Sequence, residues 1–202
     1  MYKINRVAFV GSIAVGKSTI IRNLQSLVSN CSFVLEEPMN NLFLQDFYSD
    51  MKKWGFHCQI SSLAMVTENY LLCPNERDGI IIFDRCVDEI INFASLQYEF
   101  GNMNHKEFKL FKSLYNSILS LSPPIDLFIY CKCDAEISFE RIKKRNRTME
   151  QRINIGYIKR LNDNYERWIN SIEEDKLLVI DTTSDIDVNT VCKKIINRVK
   201  LL

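Results

Sequence analysis

The feature that most constrains this chain is a glycine-rich turn that ends in a lysine and a serine. It reads Gly11-Ser12-Ile13-Ala14-Val15-Gly16-Lys17-Ser18-Thr19 and lies between the apolar run 7–10 and a segment of helical periodicity. Glycines let a backbone approach phosphate closely, and the amides of the turn and of the following helix donate to phosphate oxygens. We therefore predict a phosphate-binding loop in which Lys17 reaches the outer phosphates and Ser18 ligates magnesium. The motif indicates a bound nucleoside triphosphate but not its use.

Short apolar runs alternate with helical segments along the whole chain. The runs occupy residues 7–10, 32–35, 80–83, 127–130 and 177–180. Helices are predicted at about 17–28, 41–50, 56–72, 87–100, 105–121, 135–144, 153–173 and 188–199, with an interruption at Trp54-Gly55 and a turn at 74–79. Strands that are apolar throughout are typical of a buried parallel sheet. The expected fold class is α/β: a P-loop NTPase-type, doubly wound, five-stranded parallel sheet with helices on both faces, in a single domain over 1–202.

The composition limits the partners and the chemistry. The 202 residues are 47% hydrophobic with a net charge of +1, so no global field favours nucleic acid or an anionic membrane. No run is long enough to span a membrane, and the expected location is the cytoplasm. Seven cysteines and two histidines are scattered, which indicates neither zinc nor disulfides. We expect Cys131 and Cys133, on one strand face, to be small buried residues; a redox pair is the alternative.

Charged residues follow two of the predicted strands, at the sheet edge where open parallel sheets bind ligands. Glu37 precedes Pro38, which ends the strand, and could accept a proton from an acceptor hydroxyl. The alternative is a solvated loop acid, for which Glu36 is the more obvious candidate. Asp84 stands where many such proteins keep a magnesium-organising acid, and Arg85 could bridge carboxylate and phosphate. The alternative for this pair is an ion pair that closes the strand.

Two further segments carry candidate binding residues. Arg141 and Arg145 share a helix face with Arg147 just beyond, and such arginines could close over transferring phosphates as a lid of about 141–152. The alternative is a solvated basic face. The planar amide of Gln59 could pair with a nucleobase edge in a pocket walled by Val66 and its neighbours. Without other context, Gln59 would mark only the end of an amphipathic helix.

Taken together, these motifs resemble the deoxyribonucleoside kinase family from residue 7 to residue 180. The residues that carry the resemblance are Glu37-Pro38, Trp54-x-Phe56-x-x-Gln59, Asp84-Arg85, and Arg141, Arg145, Arg147 and Glu150. The Asp-Arg pair is more similar to the bacterial-type branch than to the animal enzymes, which usually carry Glu-Arg.

The resemblance implies a role for each matching residue. Glu37 would be the general base on the 5′-hydroxyl, and Arg85 would hold that carboxylate and the migrating phosphoryl group. The nucleoside would be bound through Gln59 at the base, Phe93 stacking beneath it, Trp54 lining the pocket, and Tyr48 and Glu150 at the 3′-hydroxyl. Residues Asp181 to Ile186 would lie near the adenine of ATP, and Asp84 and Ser18 near Mg²⁺.

The resemblance also implies an activity and a weak base preference. The expected reaction is Mg²⁺-dependent transfer of the γ-phosphoryl group of ATP to a 2′-deoxyribonucleoside. Val66 and Ile90 match positions where deoxycytidine and purine kinases tend to carry arginine and aspartate, which favours thymidine or another pyrimidine nucleoside. Glu89, one residue away, could replace the aspartate. The alternatives are a nucleoside monophosphate kinase or a non-catalytic regulatory subunit. Family members are commonly homodimers, and the apolar face of 87–100 is compatible with that state.

Overall fold

Five parallel strands form one sheet in a computed structural model that describes residues 5–29, 31–71 and 79–199. The strands are β1 (Arg6–Val10), β2 (Cys31–Val34), β3 (Ile80–Asp84), β4 (Leu127–Lys132) and β5 (Leu177–Asp181). Their order is β2-β3-β1-β4-β5, with β1 in the centre. All five residues of β1 are buried, as the continuous apolar run predicts for a strand covered on both faces. The predicted fold class is confirmed.

Helices cover both faces of the sheet. They are α1 (Lys17–Leu27), α2 (Leu44–Ser49), α3 (Met51–Leu71), α4 (Ile90–Glu99), α5 (His105–Leu121), α6 (Ala135–Arg145), α7 (Ile155–Ile169) and α8 (Val188–Val199). Buried residues of α1 and α8 form one apolar cluster with one face of the sheet. Buried residues of α3, α4, α5 and α7 form the larger cluster on the other face. Because all the strand pairs are parallel, the loops that follow the strands lie at the same edge of the sheet.

The predicted interruption at Trp54-Gly55 is wrong. The helix α3 runs through both residues, and the break lies instead at Asp50, between α2 and α3. Gly55 is buried, and a Cβ atom placed on it would lie 2.5 Å from the carbonyl oxygen of Asn102. This glycine therefore allows the turn after α4 to contact the helix backbone, and it does not end the helix.

Other helix boundaries also differ from the prediction. The helix predicted over 153–173 is shorter: the 3₁₀ turn Thr148–Arg152 precedes it, and α7 runs from Ile155 to Ile169 after Asn154, whose side chain accepts a hydrogen bond from the amide of Tyr157. Asp134 directly precedes α6, and its side chain makes no cap hydrogen bond. The predicted turn at 74–79 except its last residue, the predicted helix end at Leu72, and Cys73 lie outside the described residues. No helix in the described ranges is long and apolar enough to cross a membrane.

Candidate active site

A cavity of about 650 Å³ opens where the loops after the strands meet. Its wall is built from the phosphate-binding loop, the turn after β2, one face of α3, the turn after β3, the end of α6 and the loop after β5. These elements are far apart in sequence. The parallel sheet brings them together because every strand ends at this edge.

The phosphate-binding loop has the backbone that its glycines predict. Gly11, at φ +140°, lies so close to β4 that a Cβ atom would be 2.7 Å from the carbonyl oxygen of Cys131. Residues 13–19 line the cavity, whereas Gly11 and Ser12 do not. Instead, the carbonyl oxygens of Gly11 and Ser12 accept hydrogen bonds from Lys17 Nζ at 3.1 and 3.0 Å. Burial, followed by the nearby Arg85, lowers the pKa of Lys17.

Ser18 and Asp84 form the place where a magnesium ion fits. Ser18 Oγ donates to Asp84 Oδ2 at 3.3 Å, and Asp84 Oδ1 is buried with no hydrogen-bond partner among the described residues. Burial raises the pKa of the Asp84 carboxyl. Within the described ranges no cluster of three or more Asp, Glu, His or Cys could hold a metal. One carboxylate and one hydroxyl suit Mg²⁺, which takes its other ligands from phosphate and water.

The acid that pairs with Arg85 is Glu36, so the predicted pairing of Arg85 with Glu37 is wrong. Arg85 Nε lies 2.7 Å from Glu36 Oε2. Glu37 is exposed, and its Oε2 accepts from Asn40 Nδ2 at 2.7 Å. The reason is the 3₁₀ turn Pro38–Asn40, which starts directly after Glu37 and folds Asn40 back onto it. Both glutamates line the cavity, and Glu36 is not the solvated acid that we expected.

Glu89 lies beneath the phosphate-binding loop and not in the base pocket. Its side chain is fully buried and accepts hydrogen bonds from the amide of Gly11 at 3.1 Å and from the hydroxyl of Tyr165 at 2.6 Å. Ile90 lines the cavity in its place. The sequence offered no signal for Tyr165, because the two partners are 76 residues apart.

The expected base-binding residues largely come together. Gln59, Val66, Ile90 and Phe93 line the cavity, and no residue that the structure describes forms a hydrogen bond with the buried Gln59 Oε1. The sugar candidate Tyr48 also lines it, and burial raises the pKa of its hydroxyl well above the ordinary value.

Trp54 does not line the cavity, so that prediction is wrong. Five residues separate it from Gln59, which places the two side chains about 140° apart around α3. The Trp54 ring stacks instead on Phe43, with the ring centroids 5.6 Å apart.

The three lid arginines line the cavity but are held by protein partners. Arg145 forms a two-point pair with Glu150, at 2.7 and 2.6 Å, and Arg147 lies 3.6 Å from the same carboxylate. Arg141 donates to the carbonyl oxygen of Thr182 at 2.7 Å. The segment predicted as a lid is therefore the end of α6 followed by the 3₁₀ turn, tied together through Glu150.

The loop after β5 reaches the cavity only in part. Thr182, Ser184, Asp185 and Ile186 line it, as expected for a donor-nucleotide loop. Asp181 does not, because it is exposed and its Oδ1 accepts from the amide of Thr183 at 2.9 Å.

The sequence model of one protein family, described as deoxynucleoside kinase, matches residues 7–202. The chain belongs to the deoxynucleoside kinase family. Among its relatives, the deoxyadenosine/deoxycytidine kinase of Bacillus subtilis is 31% identical over 81% of this chain and 76% of its own length. The deoxyadenosine kinase of Dictyostelium discoideum is 31% identical over 82% of this chain and 67% of its own length.

Solved structures of a deoxyadenosine kinase superpose on this chain over nearly its whole length. The deoxyadenosine kinase from M. mycoides with bound dCTP superposes with a TM-score of 0.84 and 27% identity, over 98% of this kinase and all of the other chain. The same protein with bound dATP gives a TM-score of 0.83 over 96% of this chain and 99% of the other. As a deoxynucleoside kinase, this chain is an ATP-dependent phosphotransferase.

Proposed function

We propose that this kinase transfers the γ-phosphoryl group of ATP to the 5′-hydroxyl of a 2′-deoxyribonucleoside, with pyrimidine nucleosides as the preferred acceptors. The observation that carries the proposal is the buried, unpartnered Oε1 of Gln59 in the same cavity as the phosphate-binding loop. A neutral amide in an apolar pocket suits an uncharged base. A nucleoside monophosphate as acceptor would instead need additional cationic side chains around its phosphate.

The groups around the transfer point suit proton removal and charge stabilisation. Glu37 accepts the proton of the 5′-hydroxyl in this proposal, since it lines the cavity and forms no ion pair with any arginine in the described part of the chain. Arg85 stabilises the transferring phosphoryl group, because none of the described residues accepts a hydrogen bond from its Nη2. Ser18 and Asp84 hold Mg²⁺, which when bound neutralises charge on the phosphate oxygens.

The lid and the loop after β5 complete the proposed nucleotide sites. Arg145 and Arg147 face the cavity from the lid and supply positive charge near the phosphates. Lys17 does the same from the loop. The loop that contains Ile186 is where we place the adenine of ATP, and Tyr48 and Glu150 are where we place the sugar.

The pyrimidine preference is argued from the pocket wall. Val66 and Ile90 are apolar and flank Gln59, so no charged group of α3 or α4 faces the base at these positions. Since Glu89 is held by Gly11 and Tyr165, it does not replace the missing acid. Thymine offers a methyl group to such a wall and one amide-like edge to Gln59. Purine kinases stand among the relatives, so the preference has to be measured directly.

We further propose that the enzyme is a homodimer. Most of the apolar face of α4 is buried within the protomer, which removes it as a contact surface. On α5, by contrast, Leu110, Leu114 and Leu121 fall on one face and are 52%, 42% and 83% exposed. A second copy of the chain would cover this stripe. Sedimentation velocity measures the oligomeric state of the protein and of Leu114→Glu. A dimeric protein and a monomeric variant would support the proposal, and a monomeric wild-type protein would refute it.

The experiment that tests the reaction is a radiolabelled phosphoryl-transfer assay with ATP and Mg²⁺. The four natural deoxyribonucleosides and their 5′-monophosphates are offered separately. We expect labelled monophosphates from nucleosides, with the highest kcat/KM for thymidine or deoxycytidine. Transfer only to monophosphates would replace the proposal with a nucleoside monophosphate kinase, and silence on every acceptor would favour a non-catalytic subunit. A higher kcat/KM for deoxyadenosine or deoxyguanosine would refute the pyrimidine preference alone.

A further inference from the structure

The guanidinium of Arg85 is fixed on three sides. Its Nε contacts Glu36 at 2.7 Å, and its Nη1 donates to the carbonyl oxygen of Gly11, to Glu89 Oε1 and to the hydroxyl of Tyr165, at 3.2–3.3 Å. The Phe93 ring lies under the guanidinium, 4.8 Å from its carbon to the ring centroid. Only Nη2 has no acceptor among the residues that the structure describes.

Arg85 also has a backbone conformation that most residues avoid. Its φ of +77° lies in the left-handed region, which carries a free-energy cost for a residue with a side chain. Such a conformation persists where the surroundings hold it. Here the surroundings are the contacts of the guanidinium and the hydrogen bond from the Arg85 amide to the carbonyl oxygen of Phe9.

The acid at the centre of these contacts is Glu89. One carboxylate oxygen accepts from both the Gly11 amide and Tyr165, and the other accepts from Arg85. The side chain has no exposed surface. It therefore joins the first amide of the phosphate-binding loop to the arginine of the acid–arginine turn, while Tyr165 anchors it from α7.

We propose that Glu89 and Tyr165 are positioning residues that hold Arg85 with Nη2 directed at the transferring phosphoryl group. They touch neither nucleotide nor nucleoside, because neither side chain lines the cavity. Their effect passes through Arg85. This inference rests on the proposed phosphoryl transfer and adds two residues to the groups that govern its rate.

The substitution Glu89→Gln separates this role from packing. A glutamine oxygen in place of the oxygen that accepts from Gly11 and Tyr165 keeps both hydrogen bonds. The amide nitrogen then stands where the other oxygen was, and it meets Arg85 Nη1 donor to donor. The variant has nearly the same volume and loses the negative charge and the acceptor that Arg85 Nη1 contacts, while the contacts of Arg85 with Glu36 and Tyr165 remain.

The test compares Glu89→Gln with Glu99→Gln, a matched control. Glu99 is likewise a carboxylate that pairs with arginine and does not line the cavity, but its partners are Arg160 and Arg167 and not Arg85. For Glu89→Gln, we expect kcat to fall by about 10- to 100-fold, the size of loss that a misplaced catalytic group produces. The KM values for ATP and nucleoside stay within about threefold. Glu99→Gln keeps the wild-type kcat and KM. An unchanged kcat in a folded Glu89→Gln protein overturns the proposal.

A double-mutant cycle shows whether the effect passes through Arg85. In an Arg85→Lys background, Glu89→Gln should lower kcat by less than about threefold further, because the two changes remove one interaction. Full additivity would overturn the positioning role. If Glu89→Gln does not fold, Tyr165→Phe replaces it in the double-mutant cycle. Tyr130→Phe is then the control, since the Tyr130 hydroxyl donates to Glu166 and not to Glu89. An inactive wild-type enzyme would refute the proposed reaction and this inference with it, whereas an active wild-type enzyme with an unchanged kcat in folded Glu89→Gln would refute this inference alone.

Discussion

The two neighbouring glutamates after β2 give the sharpest prediction, because they differ in partner and not in chemistry. In Glu37→Gln, the new amide oxygen still accepts from Asn40, and the site is exposed, so the free energy of unfolding should change by less than about 0.5 kcal/mol. Loss of a general base lowers kcat by about 10²- to 10⁴-fold. That corresponds to about 2.7–5.4 kcal/mol in the activation free energy.

Glu36→Gln should behave differently. The amide oxygen can still accept from Arg85 Nε, and Arg85 keeps its ion pair with Glu89. What is lost is the charge assistance of one 2.7 Å hydrogen bond, about 1–2 kcal/mol or roughly 5- to 30-fold in kcat.

Steady-state kinetics with thymidine and ATP, together with thermal unfolding, measure both variants. The expected order is a larger fall in kcat for Glu37→Gln, without a shift in its melting temperature. A larger fall for Glu36→Gln would refute the assignment of Glu37 and make the arginine-paired acid the base.

Three further perturbations follow from the geometry. Gly55→Ala should destabilise the protein by about 1–2 kcal/mol, because the clash of its Cβ with a carbonyl outweighs the roughly 1 kcal/mol gained in helix propensity; chemical denaturation measures it. Ser18→Ala should raise the Mg²⁺ concentration for half-maximal activity by about tenfold or more, measured by metal titration after chelation. Partial burial raises the pKa of Glu99, but hydrogen bonds from Arg160 and Arg167 outweigh it and hold that pKa below its ordinary value of 4.5. Its contribution is therefore present above pH 4.5 and lost as the pH falls, so Glu99→Gln should cost at most about 1 kcal/mol at neutral pH and nothing in acid.

For each of these three substitutions, one result would contradict the prediction. Gly156→Ala places a Cβ 3.2 Å from the side-chain oxygen of Asn154, a looser contact than the 2.5 Å at Gly55, and should cost less; equal losses at Gly55 and Gly156 would contradict the close-approach argument. An unchanged Mg²⁺ requirement in Ser18→Ala would remove the hydroxyl from the metal site. A stability difference for Glu99→Gln that does not shrink as the pH falls far below 4.5 would show that the loss is not the ion pair.

What the sequence predicted well depends on local physics. The phosphate-binding loop combines a strand, a glycine-rich turn and a helix start within 22 residues of one another, and its conformation follows from that short stretch. The helices α5 and α8 have the bounds that their periodicity predicts. The strands are equally clear, because five apolar runs leave no other way to bury them than a covered parallel sheet.

What the sequence could not predict depends on contacts between distant residues or on a single-residue difference. Glu36 and Glu37 are chemically equal neighbours, and only the 3₁₀ turn after Pro38 decides which of them meets Arg85. In the sequence, a glycine that breaks a helix cannot be distinguished from one that allows a neighbouring turn to contact the helix, and Gly55 is of the second kind. Tyr165 carries no local signal, since its partner Glu89 is reached only once α4 and α7 pack together.

The central position of β1 has a consequence for synthesis of the protein. Of these five strands, β1 is synthesised first, and it pairs with β3 and β4, which begin at Ile80 and Leu127, while its sequence neighbour β2 lies at the sheet edge. An apolar strand therefore waits for more than 100 residues of translation before both of its partners exist. Nascent chains halted before Leu127 should bind chaperones that recognise extended apolar segments, whereas chains released after β4 should lose that binding as the sheet closes around β1.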